Sequence, residues 1–157
     1  MYSTQINQIK TFTKDLFLQE NFDFFLLCEA KIHTYFSCFL DGHILKEYYT
    51  EEEYINLGQP KLCTWKKLRP FCFSLIKGKK LPQKFQIVLQ FPPQFWGKLF
   101  AESTNTQNLS GLYLTIRYEQ EQLYCQSGIS LLSFSLDRDL ENTWDNYIQK
   151  FLNQWME

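Results

Sequence analysis

Apolar positions along this chain follow two rhythms, one of period two and one near 3.6, and the switches between them mark its elements. Tyr2 to Ile6 alternates like a short strand. Ile9, Phe12 and Leu16 then fall three or four apart with Phe17 beside them, which predicts a helix from Gln8 to about Gln19 with Asn7 as its cap. Phe22 to Ile32 reads as a long, mostly buried strand. Thr34 to Leu40 and His43 to Tyr49 flank Asp41-Gly42, the strongest hairpin signal in the chain. A two-residue turn there sets Phe39 against Ile44 and Cys38 against Leu45. The run Glu51-Glu52-Glu53 opens a short helix, where carboxylates complement the positive end of the helix dipole.

The second half repeats this order of elements. After the connector Gln59-Pro60, Thr64 caps a helix from Trp65 to Lys77, with Trp65, Leu68, Cys72, Leu75 and Ile76 on its apolar face and Gly78 as its stop. Pro70 lacks an N–H and is expected to kink or restart that helix. In Lys84 to Phe91, residues Phe85, Ile87, Leu89 and Phe91 point one way, which is a strand. Pro92-Pro93 opens a helix carrying Phe95, Trp96, Leu99 and Phe100. Leu112 to Tyr118, Leu123 to Ser127 and Ile129 to Leu136 read as three more strands, with a turn at Glu119 to Gln122. Asp137 or Asp139 caps a last helix, on which Leu140, Trp144, Ile148, Phe151 and Trp155 recur at helical spacing.

The expected fold is therefore one α+β domain over residues 1–157. It is built from two strand–helix–three-strand units, residues 2–49 and 84–136, in pseudo-two-fold order, with an extra helix between them and a C-terminal helix. That doubled order resembles the module of sliding DNA clamps, and also the saddle of TATA-binding proteins. The clamp likeness implies helices lining a hole around DNA, yet those helices would carry Asp15, Glu20 and Glu102 beside Lys10, Lys14 and Lys98. A fold does not bring a function with it.

Leu68-Arg69-Pro70-Phe71-Cys72-Phe73-Ser74-Leu75-Ile76-Lys77-Gly78-Lys79 and Gly111-Leu112-Tyr113-Leu114-Thr115-Ile116-Arg117-Tyr118 resemble stretches of a family of small uncharacterised bacterial proteins, as does the upstream Asp-Gly pair. The resemblance implies a bacterial, intracellular, stand-alone domain and supplies no catalytic residue.

Charge changes the picture more than composition does. The net charge is −1, but Tyr54 to Ala101 contains no acid and nine of the 16 Lys and Arg. The segments before and after it each carry a formal −5. Such asymmetry points to an anionic partner, nucleic acid or another polyanion. The helix from Trp65 to Lys77 places Lys66 and Lys77 on one stripe with Lys67 beside it, and Lys79, Lys80 and Lys84 extend the positive run. These six lysines are the candidate anion-binding residues.

Little else suggests chemistry. Two histidines, His33 and His43, lack metal-ligand spacing, and the Asp41-Gly42 register keeps them apart. No nucleophile elbow, P-loop or cofactor motif is present. Five widely spaced cysteines among apolar neighbours read as reduced core thiols. With no secretory signal pattern and no bilayer-length apolar run, the expectation is a soluble, cytoplasmic, non-enzymatic binding protein without a cofactor or a membrane partner. Two alternatives stand beside polyanion binding. One is a pocket for a small apolar ligand under the C-terminal helix; the other is a structural or protein-interaction module in which the acidic ends balance the basic middle.

Overall fold

An alternating strand with one apolar face has to be covered on that face, and here six strands share a single cover. The computed structural model describes residues 1–157. Its elements run β1 (Ser3–Ile6), α1 (Ile9–Leu18), β2 (Leu26–His33), β3 (Ser37–Asp41), α2 (Glu51–Asn56), α3 (Trp65–Ile76), β4 (Lys84–Gln90), α4 (Trp96–Leu99), β5 (Leu109–Glu119), β6 (Gln122–Leu131) and α5 (Asp139–Leu152). The fold is α+β. All strand pairs are antiparallel, in the order β1-β6-β5-β4-β2-β3.

The period-two pattern decides the faces. Phe85, Ile87 and Leu89 of β4 lie opposite Tyr118, Ile116 and Leu114 of β5, and all six are buried. Leu123 and Cys125 of β6 and Ala30 and Ile32 of β2 continue the same surface. Phe12, Leu16 and Phe17 of α1, Trp65 and Cys72 of α3, and Trp144, Ile148 and Leu152 of α5 join it in one cluster of 27 buried residues. The opposite face carries Lys31, Gln86, Thr115, Arg117 and Gln126, half-buried or exposed, as expected of an antiparallel sheet with one wet side.

Several expectations are corrected by this arrangement. Each half contributes three strands to the sheet, not four. Exchanging the halves would turn the strand order into β4-β3-β2-β1-β5-β6, a different sheet, so the pseudo-two-fold arrangement expected of residues 2–49 and 84–136 is absent from the pairing. The physical reason is that strands pair across the halves: β1 takes β6 and β2 takes β4. The helix expected after Pro92-Pro93 is a short 3-10 turn followed by the four residues of α4. Phe22 to Phe25 is a turn that buries Phe22 and Phe25 ahead of β2. Asn7 is not the cap of α1; its amide donates to the Met156 carbonyl at 2.7 Å.

Asp41-Gly42 is not a hairpin turn, and His43 to Tyr49 is not a strand partner of β3. The β2–β3 hairpin turns at Thr34-Tyr35-Phe36, closed by Thr34 N–H to the Phe36 carbonyl at 2.9 Å, with no positive φ and hence no glycine to advertise it. Gly42 serves a close approach instead. Pairing of β2 with β4 shifts register between Leu27 and Glu29, leaving Cys28 as a bulge. The Gly42 N–H donates to the Cys28 carbonyl at 2.9 Å, and its own carbonyl accepts from Cys63 N–H at 2.7 Å. A Cβ on Gly42 would lie 1.8 Å from the Leu27 carbonyl oxygen.

The strand expected at Ile129 to Leu136 ends at Leu131, where its partner β5 begins at Leu109. Beyond it Asn108 substitutes for a strand: its side chain accepts from Ser133 N–H at 2.8 Å and donates to the Ser133 carbonyl at 3.0 Å. Leu132, Phe134 and Leu136 are left exposed. Other local readings hold. Thr50 and Glu53 form a reciprocal capping box on α2, and Gln120 and Glu121, both at positive φ, turn β5 into β6.

Gly42→Ala forces backbone apart at the bulge, and overpacking of this kind costs about 1–3 kcal/mol. Thermal melting is expected to show a midpoint lower by roughly 3–10 °C; an unchanged midpoint would mean the close approach is not there.

Candidate functional site

The position of the lysines follows from how α3 is anchored. Its first turn is capped by Thr64, whose hydroxyl accepts from Lys67 N–H at 3.4 Å. Trp65 is fully buried and its indole N–H donates to the Leu16 carbonyl at 2.9 Å, which ties α3 to α1. Arg69 grips Asp23 through two nitrogens, at 2.8 and 3.2 Å, and also donates to the Phe17 carbonyl. The pair is mostly shielded from water, and the Asp23 contact raises the Arg69 pKa above its ordinary value. With Trp65, Arg69 and Cys72 turned inward, Lys66, Pro70, Ser74 and Lys77 form an exposed stripe. α3 runs through Pro70 without a break.

All six candidate lysines are exposed, and none lies within 4.0 Å of a carboxylate. Of the nine cations between Tyr54 and Ala101, Arg69 alone has an ion-pair partner, while Lys98 sits over the Phe95 ring at 4.8 Å. Apart from Arg69, direct pairing with the acidic ends therefore leaves the basic middle unneutralised.

The structure gathers three of the six. α3 stops at Ile76, Gly78 (φ 137°) turns the chain, and Lys77, Lys79 and Lys80 line a cleft of about 640 Å³. Leu75, Ile76 and Leu81 give it apolar surface, Thr34 and Tyr35 form its wall on the β2–β3 turn, and Gln83 lines the rim. Gln83 N–H donates to the His33 carbonyl at 2.9 Å, tying that rim to the hairpin. No acid lines the cleft. Lys84 follows as the first residue of β4, in register with His33 and Glu119 and outside the lining. Lys66 and Lys67 stand at the far end of α3, about 16 Å away along its axis. Sequence reasoning missed Tyr35 and Phe36. Their signal was an aromatic pair between Thr34 and Ser37, concealed by the stronger Asp-Gly signal six residues on.

Other concavities differ in sign or polarity. A cleft of about 660 Å³ beside the start of α5 is lined by Asp137 and Asp139 with Asn105, Asn108 and Asn142, and no cation enters it. On the open sheet face a depression of about 460 Å³ mixes Glu29 and Asp41 with Lys31 and His43. A smaller recess of about 280 Å³ is bounded by Phe24, Phe91, Phe95, Leu99 and Tyr147, with Lys98 as its one charged residue. Burial raises the pKa of Tyr147 there.

Histidine and cysteine are engaged locally. His33 Nδ1 meets the Ser37 hydroxyl at 2.7 Å and His43 Nδ1 meets Asp41 at 2.6 Å, a contact that lowers the Asp41 pKa after the larger effect of the His43 backbone N–H. No three His, Cys, Asp or Glu side chains converge as a metal site. All five cysteines are free thiols. Burial pushes Cys28 up to about 11 and Cys72 up to about 12, and it raises Cys125 further still.

A family model described as "Family of unknown function (DUF5721)" matches residues 15–156, and the chain belongs to that family. No curated protein and no solved structure matches it. No helix is long and apolar enough to cross a membrane.

The thiol shifts set a reactivity order. Because the thiolate is the nucleophile, a raised pKa leaves almost none of it at neutral pH. Alkylation of native protein at pH 8 is expected to spare Cys72 and Cys125 completely, and both should react once the chain is unfolded. Rapid native labelling of either would contradict their burial.

Proposed function

We propose that this member of a family of unknown function is a bacterial, cytoplasmic, non-catalytic binding protein whose partner is a polyanion, held at the C-terminal end of α3. The observation that carries the reading is the cleft in which Lys77, Lys79 and Lys80 converge with no acid lining it and no ion pair engaging them. Three unpaired ammonium groups around one concavity repel one another, and a chain of phosphates or sulfates entering it removes that repulsion while releasing its own counterions. Lys84 and the Lys66–Lys67 end of α3 extend the field in two directions and contribute less per residue. Lysines act as point charges on phosphate, so base-edge specificity is not part of the reading.

Fluorescence anisotropy with labelled nucleic acid and competing polyphosphate tests it. Affinity should fall by about 0.7 log units per log unit of salt for each single-strand phosphate neutralised, or about 0.9 for duplex. Lys79→Glu/Lys80→Glu should weaken binding at least about tenfold at low salt, and Lys66→Glu/Lys67→Glu clearly less. Absence of binding to any polyanion at low salt, or charge reversals without effect, would end this reading.

A second reading rests on the recess bounded by Phe24, Phe91, Phe95 and Tyr147 with Lys98 at its edge, which suits a small apolar ligand bearing an anionic group. A fluorescent medium-chain fatty acid should bind there and bind more weakly in Phe95→Trp, which narrows the recess. If binding is unchanged in that variant, the ligand lies elsewhere and this reading fails.

A further inference from the structure

Tyr35 has no structural task. It is 95% exposed at the tip of the β2–β3 hairpin, and Phe36 beside it is 44% exposed, their ring centroids 4.8 Å apart. The turn they occupy is closed by backbone atoms, from Thr34 N–H to the Phe36 carbonyl, so nothing in its geometry calls for aromatic side chains. Water meets almost the whole Tyr35 ring, at a cost that burial elsewhere would avoid. Yet Tyr35 lines the same cleft as Lys77, Lys79 and Lys80, with Leu81, itself 68% exposed, nearby.

Resting on the polyanion reading, we infer that the occupant of this cleft is single-stranded nucleic acid, with its phosphates on Lys77, Lys79 and Lys80 and an unstacked base on the ring of Tyr35. A positive groove combined with an exposed aromatic ring is the chemistry that single strands require, because each base offers a π-face and each linkage a negative charge. A duplex keeps its bases stacked and has none to offer Tyr35. Inorganic polyphosphate and sulfated polysaccharide have no bases. A bilayer is flat, whereas the lysines and Tyr35 line a concavity suited to a narrow chain. Gln83 on the rim and Thr34 on the wall supply donors and acceptors within reach of a base without selecting one.

The test uses the full chain, with oligo(dT) and an unstructured RNA of equal length as probes. Duplex DNA, inorganic polyphosphate and vesicles of phosphatidylserine with phosphatidylcholine serve as comparators. Tyr35→Ala and Tyr35→Phe sit on an exposed tip, and an unchanged melting midpoint verifies that each folds. The single strands should bind at least about tenfold more tightly than the duplex. Tyr35→Ala should lose about five- to a hundredfold with the salt dependence unchanged, whereas Tyr35→Phe should retain binding, since stacking does not need the hydroxyl. Lys79→Glu/Lys80→Glu should instead flatten the salt dependence, by about 1.4 log units per log unit of salt. Equal binding of single strand, duplex and polyphosphate, or wild-type affinity in Tyr35→Ala, overturns the single-strand inference while leaving polyanion binding in place. Binding to the vesicles alone overturns it too and makes the cleft a lipid-surface contact. No binding to any anionic probe defeats both.

Discussion

The structure depends on covering one face of one antiparallel sheet, and the cover is aromatic. Phe22, packed just ahead of β2, stacks on Trp155 near the C-terminus with ring centroids 5.2 Å apart, and meets Phe12 of α1 at 5.4 Å and Phe151 of α5 at 5.3 Å, both edge-on. Phe91, after β4, meets Trp144 and Tyr147 of α5. Aromatic pairs of this kind add about 0.5–1.5 kcal/mol each beyond the area they bury. The contacts of Phe22 with Phe151 and Trp155 join the first quarter of the chain to its last, and β1 on β6 makes the same connection through backbone. Neither half can complete its core without the other.

That closure gives the acids and bases unequal roles. Asp15 accepts the buried Trp155 indole N–H at 2.8 Å, Asp23 holds Arg69, and Asp145 accepts the Ser127 hydroxyl at 2.5 Å. Carboxylates of the acidic ends thus satisfy donors and fix elements in place. The six candidate lysines of the middle, Lys66 and Lys67 of α3 included, pair with no carboxylate. On the proposed reading, ammonium groups gathered without a partner draw anions to their end of the molecule. The acidic cleft beside α5, of nearly equal volume, provides the internal contrast.

Much of this was legible in the chain. The period-two run at Lys84 to Phe91 and the stripe from Leu140 to Trp155 report which face is apolar, the Thr64 cap and the acid run at Glu51 report where a helix starts, and the fold uses each as read. Alternation fixes the face of a strand but says nothing about its neighbour, so the pairing of β1 with β6 and β2 with β4 was not readable. Gly42 shows a different limit. Turn chemistry and close backbone approach both select glycine, and only the β2 bulge decides between them. Leu132, Phe134 and Leu136 alternate as a strand does but lie beyond the start of β5 at Leu109, where no strand remains to pair with them. At the candidate site the lysines were legible as composition, and the length of α3 already separates Lys66 and Lys67 from the rest. The contribution of Tyr35 was not, because it depends on where the β2–β3 hairpin turns.

The central claim is that the end of α3 and the tip of the β2–β3 hairpin form one binding surface. Amide chemical-shift mapping of labelled protein, titrated with a short single-stranded oligonucleotide at low salt, tests it most directly. The account predicts that the perturbed residues are those of the 34–36 turn and of the 75–83 segment, adjoining in space though some forty residues apart in sequence. Perturbations confined to the open sheet face around Tyr113 and Phe39, or to the recess at Phe95, would contradict it.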